Sequence, residues 1–140
     1  MMINDENFVA LLKSCANKKD ALEGIRLHND IQKKGLLPKI PYLGSSLISM
    51  YSKCGLLEKA RDVLEELPIR DVISWNALIA GYASQGQGIE ALSCFDQMQR
   101  EGLSPDQVTF VCDLKACGIT RAMKRGREIH DEIVSRSLRE

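Results

Sequence analysis

Neither sign of charge predominates in this sequence: its 140 residues hold 19 Lys and Arg against 19 Asp and Glu, a formal net charge of zero. That excludes bulk capture of a polyanion by a histone-like surface or a polybasic arm, while leaving room for a local basic stripe. Aromatic residues are scarce too. Phe8, Tyr42, Tyr51, Trp75, Tyr82, Phe95 and Phe110 are all there are, too few for a sheet that stacks bases on aromatic rings. No apolar run approaches the roughly 20 residues of a membrane-spanning helix. The acidic start Met1-Met2-Ile3-Asn4-Asp5-Glu6 lacks both a basic leader region and an Arg/Ser-rich transit composition, so no targeting segment is expected in this chain. Cys15, Cys54, Cys94, Cys112 and Cys117 are odd in number, with no C-x-x-C and no His at ligand spacing. Reduced thiols follow, with no metal and no cofactor. Phosphate-loop, zinc-protease and zinc-deaminase motifs are absent, and no nucleophile stands in a recognisable frame with a base, so an enzyme is not expected.

What is present is a foldable chain, 44% apolar and 27% charged, of a length suited to one domain. Its balanced charge hides a polarity. Residues 1–40 and 107–140 are each net +2, residues 41–71 net −1, and residues 72–106 net −3.

The chain also repeats itself. Displaced by 102 residues without a gap, Phe8, Val9, Leu12, Lys13, Cys15, Gly24, His28, Ile31 and Leu36 meet Phe110, Val111, Leu114, Lys115, Cys117, Gly126, His130, Ile133 and Leu138. A displacement of 31 brings Leu47, Ile48, Tyr51, Gly55 and Ala60 onto Leu78, Ile79, Tyr82, Gly86 and Ala91. A displacement of 35 aligns Ile73-Ser74-Trp75-Asn76 with Val108-Thr109-Phe110-Val111. The unit is therefore repeated but not constant in length.

Each unit reads as two helices. Leu47, Ile48, Met50 and Tyr51 recur at helical spacing over 43–53, Gly55 breaks the pattern, and Ala60, Val63, Leu64 and Leu67 resume it over 57–67 until Pro68. Ser74 is expected to cap the next helix, which buries Trp75, Leu78, Ile79 and Tyr82, with Val72-Ile73 and Val108 as helix entries. Ala60, Ala77, Ala91 and Gly126 are small where helices are expected to approach closely. A lone hairpin of this size cannot bury its apolar faces, whereas stacked hairpins can. The fold class is thus all-α, an α-solenoid of about four helix-turn-helix repeats in a single domain over 1–140.

These blocks resemble pentatricopeptide repeats, of the plant type that alternates long, short and standard-length units. The stretches that carry the resemblance are Phe8 to Ala16 with Gly24-Ile25-Arg26-Leu27-His28, Ser49 to Gly55 with Glu58-Lys59-Ala60-Arg61, and Arg70 to Tyr82. Together they give a long unit over 5–40, a short one over 41–71, a standard one over 72–106 and a second long one over 107–140, slightly truncated. The resemblance implies a right-handed superhelix that binds single-stranded RNA, one base per repeat. It further implies a place in organellar RNA processing or editing, in the chloroplast or mitochondrion. Relatives with this pattern often carry a C-terminal deaminase domain. This chain stops inside the repeats, so it is expected to hold only the recognition part or to need an editing or processing factor in trans.

In the family, a residue early in the first helix and the last residue of the repeat read the base edge. A residue just before the first helix packs on the base. Carried over, these positions are Asn76 with Asp106, whose pattern is a pyrimidine, uracil over cytosine, and Ser45 with Asp71, whose pattern is guanine. Ile73 and Val108 are the base-sandwiching residues. The RNA would run 5′ to 3′ with the chain and the central readout would be G-U. Asn, Ser and Asp suit this task because they offer donors and acceptors to a Watson–Crick edge. Val9 and Val111 stand at the reader position of the long units and make them spacers or weak contacts. Residues 39–44 hold one residue more than the usual junction and include Pro41, so Gly44 competes with Ser45 for the reader position.

Other residues have plainer roles. His28 and His130 repeat and read as structural, as do Cys15 and Cys117, and Trp75 reads as core. Lys33, Lys34, Lys124, Arg125 and Arg127 are candidates for phosphate contact or for solvated surface. The competing reading is a protein-interaction scaffold of tetratricopeptide type, against which the unequal unit lengths argue. Self-association is also expected, through the repeat ends or by exchange of a hairpin, because the first helix offers Val9, Leu11 and Leu12 and no capping helix follows Glu140.

Overall fold

The computed structural model describes residues 7–120 and 123–138, with side chains described over 7–120 and 128–138. The described residues form eight helices and no strand: α1 (Phe8–Lys18), α2 (Ala21–Lys34), α3 (Leu43–Lys53), α4 (Leu57–Glu66), α5 (Val72–Ser84), α6 (Gly88–Arg100), α7 (Gln107–Thr120) and α8 (Met123–Leu138). Consecutive helices pair as hairpins. The first helices of the hairpins pack side by side in the order α1, α3, α5, α7. The second helices α2, α4 and α6 pack on their own partner and on the first helix of the next hairpin, but not on one another. One row is close and the other spaced, which is the arrangement of an α-solenoid whose first helices line one face.

The turns follow from local chemistry. Asp20 caps α2 by accepting the Glu23 backbone N–H at 3.2 Å, and Gly55 ends the α3 turn at φ 79°, where a side chain would be strained. α5 begins earlier than its sequence suggests. Asp71, not Ser74, is the cap: its carboxylate accepts the Ser74 backbone N–H at 2.9 Å. A carboxylate satisfies an orphan N–H and complements the positive end of the helix dipole, so it outcompetes the serine one turn on. Val72 and Ile73 are thereby drawn into α5, and Val108 becomes the second residue of α7.

One continuous core runs along the array, from Phe8, Leu12 and Ile31 through Leu47, Met50 and Tyr51 to Trp75, Leu78, Phe95 and Met98. Leu12 is fully buried, and Val9 and Leu11 are half-buried against the core. α1 therefore does not present the apolar end that the sequence suggested, because its Phe8–Leu12–Cys15 stripe is turned inward. Ala60 and Ala91 are fully buried, while Ala77 lies half-exposed along the first-helix face. Gly126 lies outside the described side chains. Where α5 crosses α3, a Cβ on Gly81 would stand 2.7 Å from Ser52 Cβ, so the glycine sets how closely the two helices approach. The five cysteines are thiols, not disulfides.

The outer row is joined by polar side chains that span its gaps. His28 Nδ1 and the Tyr51 hydroxyl are 2.7 Å apart, His28 Nε2 and Glu66 Oε1 are 2.7 Å apart, and Gln32 donates to Glu66 Oε2 at 3.0 Å. Arg61 donates to Gln97 Oε1 at 3.0 Å in the next gap. Burial, and then the Glu66 charge, push the Tyr51 phenol up to about 12.

Candidate nucleic-acid interface

The zero net charge is sorted by helix row. On the four first helices the charged residues are Lys13, Lys18, Lys53, Lys115 and Asp113, and Asp113 is fully buried. α5 carries no charge at all. The acidic residues of 72–106 lie elsewhere: Glu90 and Asp96 on α6, Glu101 just beyond it and paired with Arg70 at 3.7 Å, and Asp106 in the turn to α7. The first-helix face is therefore cationic while the second helices carry most of the carboxylates.

Between α1 and α3 a groove of about 270 Å³ is lined by Val9, Lys13, Ser45, Ser49 and Lys53. It continues as a groove of about 320 Å³ over α3, α5 and α7, lined by Ser49, Lys53, Ala77, Ala80, Ser84 and Lys115 among others. The small side chains leave room for a chain of planar groups, and the lysines supply cations along it. Lys33 and Lys34 lie instead on α2 in the outer row, with the Lys34 ammonium 5.6 Å over the Phe8 ring. Lys124, Arg125 and Arg127 fall outside the described side chains.

The structure brings Asn76 and Asp106 together. Asn76 Nδ2 donates to Asp106 Oδ1 at 3.1 Å. Thr109 joins them: its backbone N–H donates to Asp106 Oδ1 at 3.0 Å, the Asp106 N–H donates to its hydroxyl at 3.1 Å, and the one hydroxyl proton is shared between Asn76 Oδ1 and Asp106 Oδ1, the latter 2.9 Å away. A carboxylate can only accept, so the nitrogen end of the Asn76 amide must face it. The amide is thus held in one orientation, with one N–H and one lone pair left unused. Asn76 is 9% exposed, so only an edge of it reaches the surface. Such an edge carries a donor beside an acceptor, a pair that can meet the Watson–Crick edge of a base. Ile73 and Val108, each the second residue of its helix, are about half exposed although apolar.

Thr109 escaped the sequence reading, yet its signal was present as Asp-x-x-Thr, a reciprocal cap at the start of α7. Its backbone N–H, then its hydroxyl and the Asn76 amide, hold the Asp106 carboxyl below its usual range. A lowered folded value means that the Asp106 contribution is complete above the unfolded carboxylate range and is lost as pH falls through the folded one. Asp106→Asn should accordingly lower Tm at neutral pH, and the gap from the parent chain should close in strongly acidic buffer. Thermal melts by circular dichroism across the acidic range would check this.

Ser45 and Asp71 are placed differently. They line one groove of about 550 Å³ with Tyr42 and Ile73. They share no hydrogen bond with each other: the Ser45 hydroxyl donates to the Tyr42 carbonyl at 3.0 Å, and Asp71 caps α5. The crowded junction is absorbed at Tyr42, which adopts a left-handed backbone at φ 66° and delays the start of α3 to Leu43. Gly44 is buried, and a Cβ there would collide with Leu67, whereas Ser45 is half-exposed. Tyr42, 31 residues before Ile73, is largely exposed on the same groove. It too was missed, because its accessibility depends on a backbone state that sequence patterns do not report.

Residues 70–118 match the PPR repeat family, and residues 45–72 match the PPR repeat. The chain carries pentatricopeptide repeats. Pentatricopeptide repeat-containing protein At2g13600 of Arabidopsis thaliana is 36% identical over 95% of this chain and 19% of its own length. The chloroplastic protein At4g18520 and the mitochondrial protein At3g02330, also of Arabidopsis thaliana, are 38% and 39% identical over 93% and 86% of the chain, and over 21% and 13% of their own lengths. The pentatricopeptide chain thus spans about a fifth of these relatives or less. Its fold is similar to the crystal structure of the pentatricopeptide repeat protein PPR10 from maize, with a TM-score of 0.68 and 18% identity over 91% of this chain and 19% of that one.

Proposed function

We propose that this pentatricopeptide chain is a recognition module for single-stranded RNA, acting in organellar RNA processing or editing and leaving any chemistry to another polypeptide or domain. The observation that carries the reading is the charge sorting: the exposed charged residues of the first helices are lysines, and three of them line two adjoining grooves, the second also lined by Ala77 and Cys112 of the helices that carry Asn76 and Thr109. In this reading Lys13, Lys53 and Lys115 meet phosphates, Asn76 with Asp106 reads uracil, and Ser45 with Asp71 reads guanine. Ile73 and Val108 flank the bases, with Tyr42 serving the short unit in the same way. The relatives whose names place them in chloroplast or mitochondrion support the organellar setting.

Two reading units and stacking of about 1–3 kcal/mol per base give weak binding by one chain. The test is a salt titration. Fluorescence anisotropy with a short single-stranded RNA containing G-U should give a falling log K against log salt. Replacing Lys13, Lys53 and Lys115 by Gln should flatten that slope by about 2, as expected for three lost contacts to single-stranded phosphates. An unchanged slope would place the RNA elsewhere, and no binding at low salt would remove the reading altogether.

A further inference from the structure

The Asn76 amide is held at both ends, by two contacts that do different things. Asp106 Oδ1 takes one Nδ2 proton at 3.1 Å. A carboxylate only accepts, so it decides which end of the amide faces it. It leaves the amide free to turn about that single hydrogen bond. The Thr109 hydroxyl, sharing its proton with Asn76 Oδ1, removes that freedom. It fixes the plane in which the remaining N–H and lone pair lie. Thr109 is itself held still. It is fully buried, its backbone N–H is tied to Asp106 Oδ1 at 3.0 Å, and its hydroxyl accepts the Asp106 N–H at 3.1 Å. Its β-branched side chain also has few rotamers in a helix. The short unit is built differently. Asp71-x-x-Ser74 stands 35 residues before Asp106-x-x-Thr109. Ser74 donates its backbone N–H to Asp71 at 2.9 Å, but the Ser45 hydroxyl turns to the Tyr42 carbonyl at 3.0 Å. The same cap is present twice, and only the second reaches back to a candidate reader in the hairpin before it.

We infer that Thr109 is a specificity-determining positioning residue: from the first helix of one hairpin, it fixes the Asn76 amide plane and so sharpens the base choice of the hairpin before it. The inference rests on the reading of Asn76 with Asp106 as a base-edge contact, and adds a residue to it. Thr109 touches no base, since it is fully buried; it acts only through Asn76. A polar edge held in place is left unpaired by the wrong base, and that loss is what discriminates. An amide free to turn finds a partner on either base and discriminates less. Base selection at Asn76 is then a property of two adjacent hairpins, not of one.

The test compares Thr109→Val, which keeps the branched shape and removes the hydroxyl, with Thr109→Ser, which keeps the hydroxyl. The readout is a ratio of affinities, by fluorescence anisotropy, for a short single-stranded RNA containing G-U and its G-G counterpart. Thr109→Val should lower that ratio by about fivefold to tenfold, the effect of one hydrogen bond, and Thr109→Ser should keep most of it. Ser74→Ala should leave the preference at the neighbouring base where it is. Thermal melts establish that each variant is folded at the assay temperature. Nuclear magnetic resonance supplies a readout without RNA: the two Asn76 side-chain amide protons, well separated in the parent and in Thr109→Ser, should draw together in Thr109→Val. A parent that discriminates at that base, with a Thr109→Val variant that discriminates equally, would overturn the inference and leave the Asn76 reading standing. A parent that binds both RNAs equally, or neither, would remove that reading and the inference with it. Unmoved Asn76 resonances in Thr109→Val would also overturn the inference. So would an equal loss of preference from Ser74→Ala at its own base, since both losses would then mark a weakened helix cap.

Discussion

Replacing Trp75 by alanine should destabilise the fold by about 3–5 kcal/mol, the range for deleting a large buried aromatic side chain. Trp75 is 1% exposed on α5 and belongs to the continuous core. α5 packs on α3, α4, α6 and α7, so a cavity there is felt by three of the four hairpins. Trp75→Phe should cost far less, roughly 1–2 kcal/mol, because the ring volume is partly kept. No hydrogen bond is lost either, since the buried indole N–H has no partner. Urea unfolding followed by far-ultraviolet circular dichroism measures both variants. Equal costs for the two would mean that the indole N–H, not packing, holds Trp75 in place.

The second large effect concerns the base edge. On the proposed reading, in which Asn76 with Asp106 selects uracil, Asn76→Ser should reverse the base preference of the standard unit to guanine, by about tenfold in relative affinity. One base-edge hydrogen bond gained and one lost differ by roughly 1–3 kcal/mol. Asn76 presents a fixed amide edge because Asp106 and Thr109 hold both ends of it. Serine keeps a hydroxyl at the position from which Asn76 reaches the Asp106 carboxylate, and the residue types then match those of Ser45 and Asp71 in the proposed guanine-reading unit. A plain loss of binding in Asn76→Ala would be ambiguous, since Asn76 also ties α5 to the start of α7. A ratio of affinities for two RNAs that differ only at that base, measured on one folded variant, cancels any change in stability. An unchanged ratio would remove Asn76 from the readout.

Much of this was legible beforehand. The helical spacing of Leu47, Met50 and Tyr51 located α3, and the glycine after it located the turn, because faces and turns are encoded within a few residues. The start of α5 was read three residues late, since Ser74 and Asp71 are both competent caps and only the carboxylate adds a charge at the helix dipole. The family resemblance paired Asn76 with Asp106 across 30 residues. It did not reveal that Thr109 fixes the amide, nor that Ser45 and Asp71 share a groove without bonding.

The sequence by itself determined the hairpins and the inward stripes of α3, α4 and α5, since periodicity carries both. Only the tertiary structure decided what the zero net charge means. Which row a helix joins depends on its neighbours 30 or more residues away, and stacking put the exposed lysines of the first helices on one face while most carboxylates went to the other row. It also decided the fate of two nearly identical units. Leu12 and Leu114 occupy equivalent positions, yet the first is buried and the second is half exposed, because burial belongs to the neighbour that arrives and not to the residue that waits.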